Sequence, residues 1–312
     1  MNEWRGVLRR PFEFAAFSVV SLSLIFGVVF SASALSPTVL ASDLASPVHL
    51  AFDGENLYFS EEDPVNLSFN NLKKISKESG LVTTLANNTA LYEGQYRGIS
   101  KIVLDNLNVY AGYGGYLNYQ IIKVSKSGGP RTLLSSTTGG ELIGIIGSDA
   151  YELYYGSGYY NIVKLSLETG SRTTVVSGKW ARSSATDDRN LYFIDYNSKD
   201  LLKYDTQTGS LASLISGNYP YEGHVFLDDG HVYLSVDGLI KKVSKNGGAV
   251  QTIVSSGSAF GYLSDNEFLY YLENGGLQRI PVSGGLSETI VSAISITPER
   301  QYALAADGQY LY

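Results

Sequence analysis

The sequence contains no cysteine, one methionine, two tryptophans and three histidines in 312 residues. The missing cysteine excludes disulfide staples, a thiolate metal site, a cysteine nucleophile and a lipidated N-terminal cysteine. Three histidines leave little room for a His-rich metal centre. There is no block of basic residues, and the formal net charge is −7, so nucleic acid and anionic lipid are poor partners. No P-loop, no G-x-S-x-G elbow and no H-E-x-x-H occurs, which removes the usual signatures of phosphate cradling, serine hydrolysis and zinc proteolysis. Nothing in the composition calls for a bound cofactor. What is abundant points elsewhere. Thirty-three glycines and 24 tyrosines among 44% hydrophobic residues lean toward strands and tight turns rather than helices.

The first 34 residues read as a targeting segment. Arg5, Arg9 and Arg10 precede an apolar run from Ala15 to Phe30, and Ala32-Ser33-Ala34 is an A-x-A cleavage signature. If the segment stays attached, residues 15–35 are nearly long enough to span a bilayer and are the chain's only expected membrane contact. Its removal leaves 20 basic against 28 acidic residues, a net charge of −8. The remainder, residues 35–312, is expected outside the cytoplasmic membrane, secreted or in the cell envelope.

That remainder repeats itself. "IIKVSKSGGPRTLLSST" from Ile121, "IKKVSKNGGAVQTIVSSG" from Ile240 and "LQRIPVSGGLSETIVSA" from Leu277 are versions of one phrase. Each unit holds an apolar strand ending in aspartate, a short gap, a strand with Tyr, a strand with a cation, a Gly/Ser turn and a last strand of the type "TLLSS". The aspartates are read as Asp53, Asp105, Asp149, Asp188, Asp229, Asp265 and Asp307, with Tyr58, Tyr110, Tyr154, Tyr192, Tyr233, Tyr270 and Tyr312 after them. A period near 40 with four short strands, here lettered a to d, is the mark of a β-propeller blade. Six blades are expected over roughly 48–86, 99–136, 141–177, 182–216, 223–256 and 259–292. A seventh is expected to take its first two strands from the C-terminus and its last from residues 38–42 of "PTVLAS", closing an all-β, seven-bladed ring whose last blade is incomplete. The aspartates are expected to cap the a–b turns.

The units "LDNLNVYAGY…IIKVSKSGGPRTLLSS" and "AFDGENLYFSEE" resemble bacterial exported propellers related to the YWTD repeats of lipoprotein receptors. The resemblance covers about residues 48–312. It departs where that family usually has Trp after the Tyr: here stand Phe59, Ala111, Tyr155, Phe193, Leu234 and Tyr271. The likeness implies a fold and an exported location, and no chemistry.

One position of strand c is cationic in all six units: Lys74, Lys123, Lys164, Lys203, Lys242 and Arg279. A long stem packed between blades, its head near an Asp or a sheet edge, explains this better than a ring of ligand-binding charge. The aromatics sort by face. Strand b–c connections carry Tyr113, Tyr116, Tyr119, Tyr159, Tyr160 and Tyr196; the d–a connections carry Tyr92, Tyr96, Tyr219 and Tyr221, with Trp180 beside Arg182. Large amphipathic rings on loops of a rigid scaffold suit binding, so this face is the expected contact surface for a glycan or protein partner. The alternative is a metal- or His-dependent lactonase or lyase at the channel mouth, using His49, His224 and Glu222. A third reading is a purely structural envelope protein.

Overall fold

The computed structural model describes residues 13–14, 16–20, 22–29, 36–44, 47–61, 71–87, 98–115, 118–137, 140–156, 158–217, 223–236, 238–255, 260–273, 276–292, 304–306 and 310–312. Every regular element among the described residues is a strand. Six antiparallel four-stranded sheets follow one another along the chain, each paired in chain order. They span Val48–Ala86, Ile99–Thr137, Glu141–Ser177, Ala181–Ile215, His224–Ser255 and Phe260–Val291. These are the six blades expected from the repeat. Consecutive first strands lie beside one another, so strand a lines the axis.

The reason these segments are strands lies in their alternation. In Asn56–Glu61, Leu57 and Phe59 join the cluster on one side of the first blade, while Tyr58 joins the second blade's Val109, Ala111 and Ile122 on the other. In Asn190–Asp195, Leu191 and Phe193 face the third blade, and Tyr192 and Ile194 the fifth. A period of two with both sides apolar puts a fully buried strand between two sheets. Each such side chain contributes about 1.5–3 kcal/mol of burial.

The turns show why Asp and Gly recur. In the first blade the Asp53 carboxylate accepts the N–H of Glu55 and of Asn56 at 3.1 and 2.9 Å, and the Tyr58 hydroxyl donates to its other oxygen at 2.8 Å. Asp105 with Tyr110 and Asp265 with Tyr270 repeat the arrangement. In the fourth and fifth blades the capping residues are Asp187 and Asp228, one position before the aspartates expected. The five-residue step from cap to tyrosine selects them, because only that spacing brings the hydroxyl over the carboxylate. The third blade departs further. Tyr151, not Tyr154, pairs with the strand-c lysine, and Ile146 stands five residues before it, where the cap belongs. Glu152, not Tyr155, therefore takes the position after the tyrosine. It is fully buried, where Ser135 and Arg172 meet it. In the c–d turns, Gly128 and Gly129 hold φ of 89° and 115°, a region side chains disfavour.

In three blades the periodic cation is an inter-blade tie. In every blade the residue after strand c donates its N–H to the a–b turn of the same blade, as Lys126 does to Leu107 at 2.9 Å. The carbonyl of that residue then accepts from the preceding blade's cation: Lys74 reaches Lys126 at 2.8 Å, Lys203 reaches Lys245 at 3.0 Å, and Lys242 reaches Val282. Lys164 and Arg279 instead meet Asp149 and Glu288 of their own blades.

The expected seventh blade is not there: the propeller has six blades. Ser36–Leu44 pairs antiparallel with Leu22–Val29, inside the segment read as a leader, and Tyr310–Leu311 pairs parallel with Glu13–Phe14. With Ala16–Val20 these form a five-stranded sheet of a different order. Among the described residues of the C-terminal run, Ala305 and Tyr312 exchange backbone hydrogen bonds of 2.9 and 2.7 Å. Leu40, Ala41 and Leu44 pack on Leu57, Phe59 and Ile75 of the first blade, and Leu311 packs on Tyr270 and Leu272 of the sixth.

Candidate functional site

The a–b and c–d turns share one end of the ring, so the b–c and d–a connections share the other. Strand a starts at that second end. His49, Lys101, Glu141, Arg182 and His224 all fall within the first three residues of the first strands of blades one to five: Val48–Phe52, Ile99–Leu104, Glu141–Ile146, Ala181–Thr186 and His224–Leu227. Polar and ionisable groups therefore ring the channel mouth on the Tyr-rich face.

Lys101 is at the centre of this ring. Its ammonium donates to the carbonyl and hydroxyl oxygens of Ser184, both at 3.1 Å, and so reaches from the second blade to the first strand of the fourth. Burial pulls its pKa down to about 8, although Glu141 nearby works the other way. Burial pushes the Glu141 carboxyl above its usual range despite the fields of Lys101 and Arg182. His49, with a left-handed φ of 55°, is pushed down to about 4 by burial and then by the Lys101 charge. It is a neutral imidazole at physiological pH. His224 is exposed, 6.2 Å from the Tyr262 ring between centroids.

Beside the mouth stands an aromatic ladder. Tyr155 and Tyr160 are 4.9 Å apart between centroids, Tyr160 stacks on Trp180 at 4.4 Å, and Trp180 meets Tyr196 at 4.0 Å. The Arg182 guanidinium lies 5.7 Å from the Trp180 ring and 6.0 Å from Tyr196. Asp195 holds the ladder. Its buried carboxylate accepts the Trp180 N–H at 3.1 Å, the Lys179 ammonium at 2.8 Å and the Ser198 hydroxyl at 2.9 Å. Tyr196 donates its N–H to the Trp180 carbonyl at 2.8 Å. Burial alone would raise the Asp195 carboxyl; these donors outweigh it and hold the pKa below the ordinary value. Trp180, half-buried, is thus contacted by two tyrosine rings and by Arg182. Tyr159, 67% exposed, precedes Tyr160 on the same strand, so its ring stands in solvent on the other side of the blade.

The sequence expectation thus divides. Tyr160, Trp180, Arg182 and Tyr196 come together, while Tyr159 is exposed on the other side of its strand. Tyr113 and Tyr119 do not belong to an exposed surface: both are 2% exposed, Tyr113 in the core between the first two blades, Tyr119 between the second and third. The Tyr119 hydroxyl accepts the Leu142 N–H at 2.6 Å and lies 3.2 Å from the Ser100 hydroxyl, tying blade to blade. Tyr92, Tyr96, Tyr116, Tyr219, Tyr221 and Glu222 lie outside the described residues. Lys101, Glu141 and Asp195 were missed. A charged residue in the first three positions of successive a strands was the available signal for the first two. Among the described residues no group of three or more His, Asp or Glu side chains is placed to hold a metal ion.

No family model and no curated protein matches this sequence. Among solved structures, a chain of the nidogen/laminin complex is similar over 74% of this chain and 88% of that one, at 13% identity and a TM-score of 0.52. A prolyl endopeptidase is similar over 92% of this chain, at 15% identity and a TM-score of 0.62; this chain spans about half of it, 51%. Likenesses this distant show the fold, a β-propeller, and nothing of its chemistry.

Proposed function

We propose that this chain is an exported, non-catalytic binding module that engages a glycan or protein partner through the face formed by the b–c and d–a connections. The observation that carries this reading is the ladder Tyr155–Tyr160–Trp180–Tyr196, fixed by the buried Asp195 and flanked by Arg182, with the exposed Tyr159 one residue before Tyr160 on the same strand. A contact surface whose side chains are already locked loses little entropy on binding. An exposed Tyr beside it supplies area with few rotatable bonds. The resemblance to YWTD-type repeats supports the same reading, as does the likeness to a chain of the nidogen/laminin complex. The first 34 residues are read as an export leader, whose removal takes Glu13–Phe14, Ala16–Val20 and Leu22–Val29 out of the five-stranded sheet and leaves Ser36–Leu44 and Tyr310–Leu311 to the mature chain.

The test uses the chain's own tryptophan. Trp4 and Trp180 are the two in the sequence, so with Trp4→Phe the emission reports on Trp180 alone. Cell-wall oligosaccharides, peptides, divalent ions and EDTA are screened by emission and thermal shift. A ligand that shifts emission and raises the melting temperature, with both effects lost in Tyr159→Ala at unchanged stability, supports the module. Stabilisation by a divalent ion together with lactone turnover overturns it. N-terminal sequencing of the exported protein checks the leader: an N-terminus at Leu35 is expected.

A further inference from the structure

The axial mouth and the ladder are one continuous surface, and Arg182 joins them. Its guanidinium lies over Trp180 and Tyr196, and its charge acts on Glu141, which in turn acts on Lys101. We propose that this mouth receives a carboxylate of a partner protein, an Asp or Glu side chain seated between Lys101 and Arg182. The inference rests on the binding-module reading and names the chemistry that the face recognises.

The first strands show what faces the seat. The first blade gives His49, held neutral; the second gives Lys101; the third gives Glu141; the fourth gives Arg182 with Ser183 and Ser184; the fifth gives His224; the sixth gives Tyr262. Among these described groups two permanent or near-permanent cations share one carboxylate. That carboxylate is itself poorly held in its charged form. An under-neutralised cation in a half-buried site is costly, and an arriving carboxylate with good geometry offsets that cost. The protein as a whole is acidic, with a net charge of −7, so a local cationic seat runs against its background.

Lys101 itself argues for function. Its desolvated ammonium opposes folding, and Ser184 occupies two of the three donor directions an ammonium has. A residue held at a cost to stability at the mouth of a concave axis is more readily explained by what it binds than by what it stabilises.

The ladder decides between a peptide and a sugar. The central rings stack on each other, and among the described residues Tyr159 is the large exposed ring of these connections. Ring edges, carrying the positive side of the aromatic quadrupole, and the Arg182 fork suit a carboxylate and peptide carbonyls. Lys101 reaches across to Ser184 of the fourth blade, so an arriving carboxylate meets its ammonium beside a hydroxyl donor.

The probes are hexaglutamate, hexaglutamine and trigalacturonic acid, each titrated into the full chain carrying Trp4→Phe with Trp180 emission as readout. Hexaglutamate is expected to change emission saturably, hexaglutamine not at all, and added salt to weaken the response. Lys101→Met and Arg182→Gln are each expected to weaken hexaglutamate by about tenfold or more, as loss of one charge-assisted contact implies. The melting temperature of Lys101→Met is expected at or above that of the parent, which separates lost binding from lost fold. No saturable response, an equal response to hexaglutamine, or full binding by both charge variants overturns the proposal. A response to trigalacturonic acid without one to hexaglutamate overturns the peptide assignment. If Tyr159→Ala abolishes binding of other partners while the charge variants leave it intact, the binding face stands and the carboxylate seat falls.

Discussion

The Lys126 ammonium of the second blade lies 2.9 Å from the Asp53 carboxylate of the first. Its backbone carbonyl accepts the Lys74 ammonium of that first blade at 2.8 Å. Lys245 stands in the same double relation to Asp187, at 3.1 Å, and to Lys203, at 3.0 Å. At these two junctions one residue thus binds the neighbouring blade twice. A propeller's blades are separate sheets, so such ties resist the splaying that side-chain packing alone permits.

Lys242→Met is expected to destabilise by about 1–2 kcal/mol, because the methionine keeps the stem's packing and loses the bond to the Val282 carbonyl. Urea unfolding measures it. Binding at the Tyr-rich face is expected to stay unchanged, since the lost contact belongs to the opposite end of the ring. A melting point equal to the parent's would return the periodic cation to a ligand role.

Gly112→Ala is expected to be among the most damaging single changes. A Cβ there would stand 1.7 Å from the Tyr119 hydroxyl oxygen, and that ring is fully buried between two blades. Displacing it breaks the bond to the Leu142 N–H and creates a void, a loss of about 3–5 kcal/mol. Tyr119→Phe removes the hydroxyl alone and is expected to cost about 1–3 kcal/mol. Paired in Gly112→Ala/Tyr119→Phe, the two are expected to cost less than their sum.

Asp195→Asn is expected to loosen the ladder. The Lys179 ion pair goes, and an amide presents donors where Trp180 and Ser198 already donate. Loss of a buried, multiply bonded carboxylate is expected to cost about 3 kcal/mol. Trp180 emission shifting to the red and a weaker near-ultraviolet circular dichroism band are the local readouts; an unchanged spectrum would detach Asp195 from the ladder's geometry.

Acid lability carries two signatures. His49 titrates near pH 4 in the fold against an ordinary 6.5. Between those values the unfolded chain holds the extra proton, so stability rises with pH through that window and is lost as pH falls through it, by up to about 3 kcal/mol. His49→Gln is expected to flatten that slope. Asp53 is held near 2: burial raises its pKa, and Lys126, the Asn56 and Glu55 N–H groups and Tyr58 together lower it further. Its stability contribution is present above the ordinary carboxylate value and is lost as pH falls toward 2. A stability curve from pH 7 to pH 2 separates the two steps.

How much of this was legible beforehand differs between elements. Six blade spans could be read to within a residue or two, because alternating apolar strands and Gly-rich turns are local patterns that tertiary contacts merely reinforce. The capping aspartate was misread by one position at 187 and 228, where two adjacent aspartates satisfy the same turn pattern and only the tyrosine hydroxyl distinguishes them. Tyr113 and Tyr119 were placed on the surface because they flank a b–c turn; the strands run further than expected, to Gly115 and from Asn118, and carry both rings into the core.

By itself the sequence determined the repeat, the all-β class, the number of full blades and the lysine in strand c, since each follows from spacing along the chain and the chemistry of turns and apolar alternation. The tertiary structure alone decided how the last sheet is built, which tyrosines face solvent, and that residues 101, 141 and 182 meet at one mouth. Those outcomes depend on distances between strands far apart in sequence, and on which ring covers which, and no local pattern encodes either.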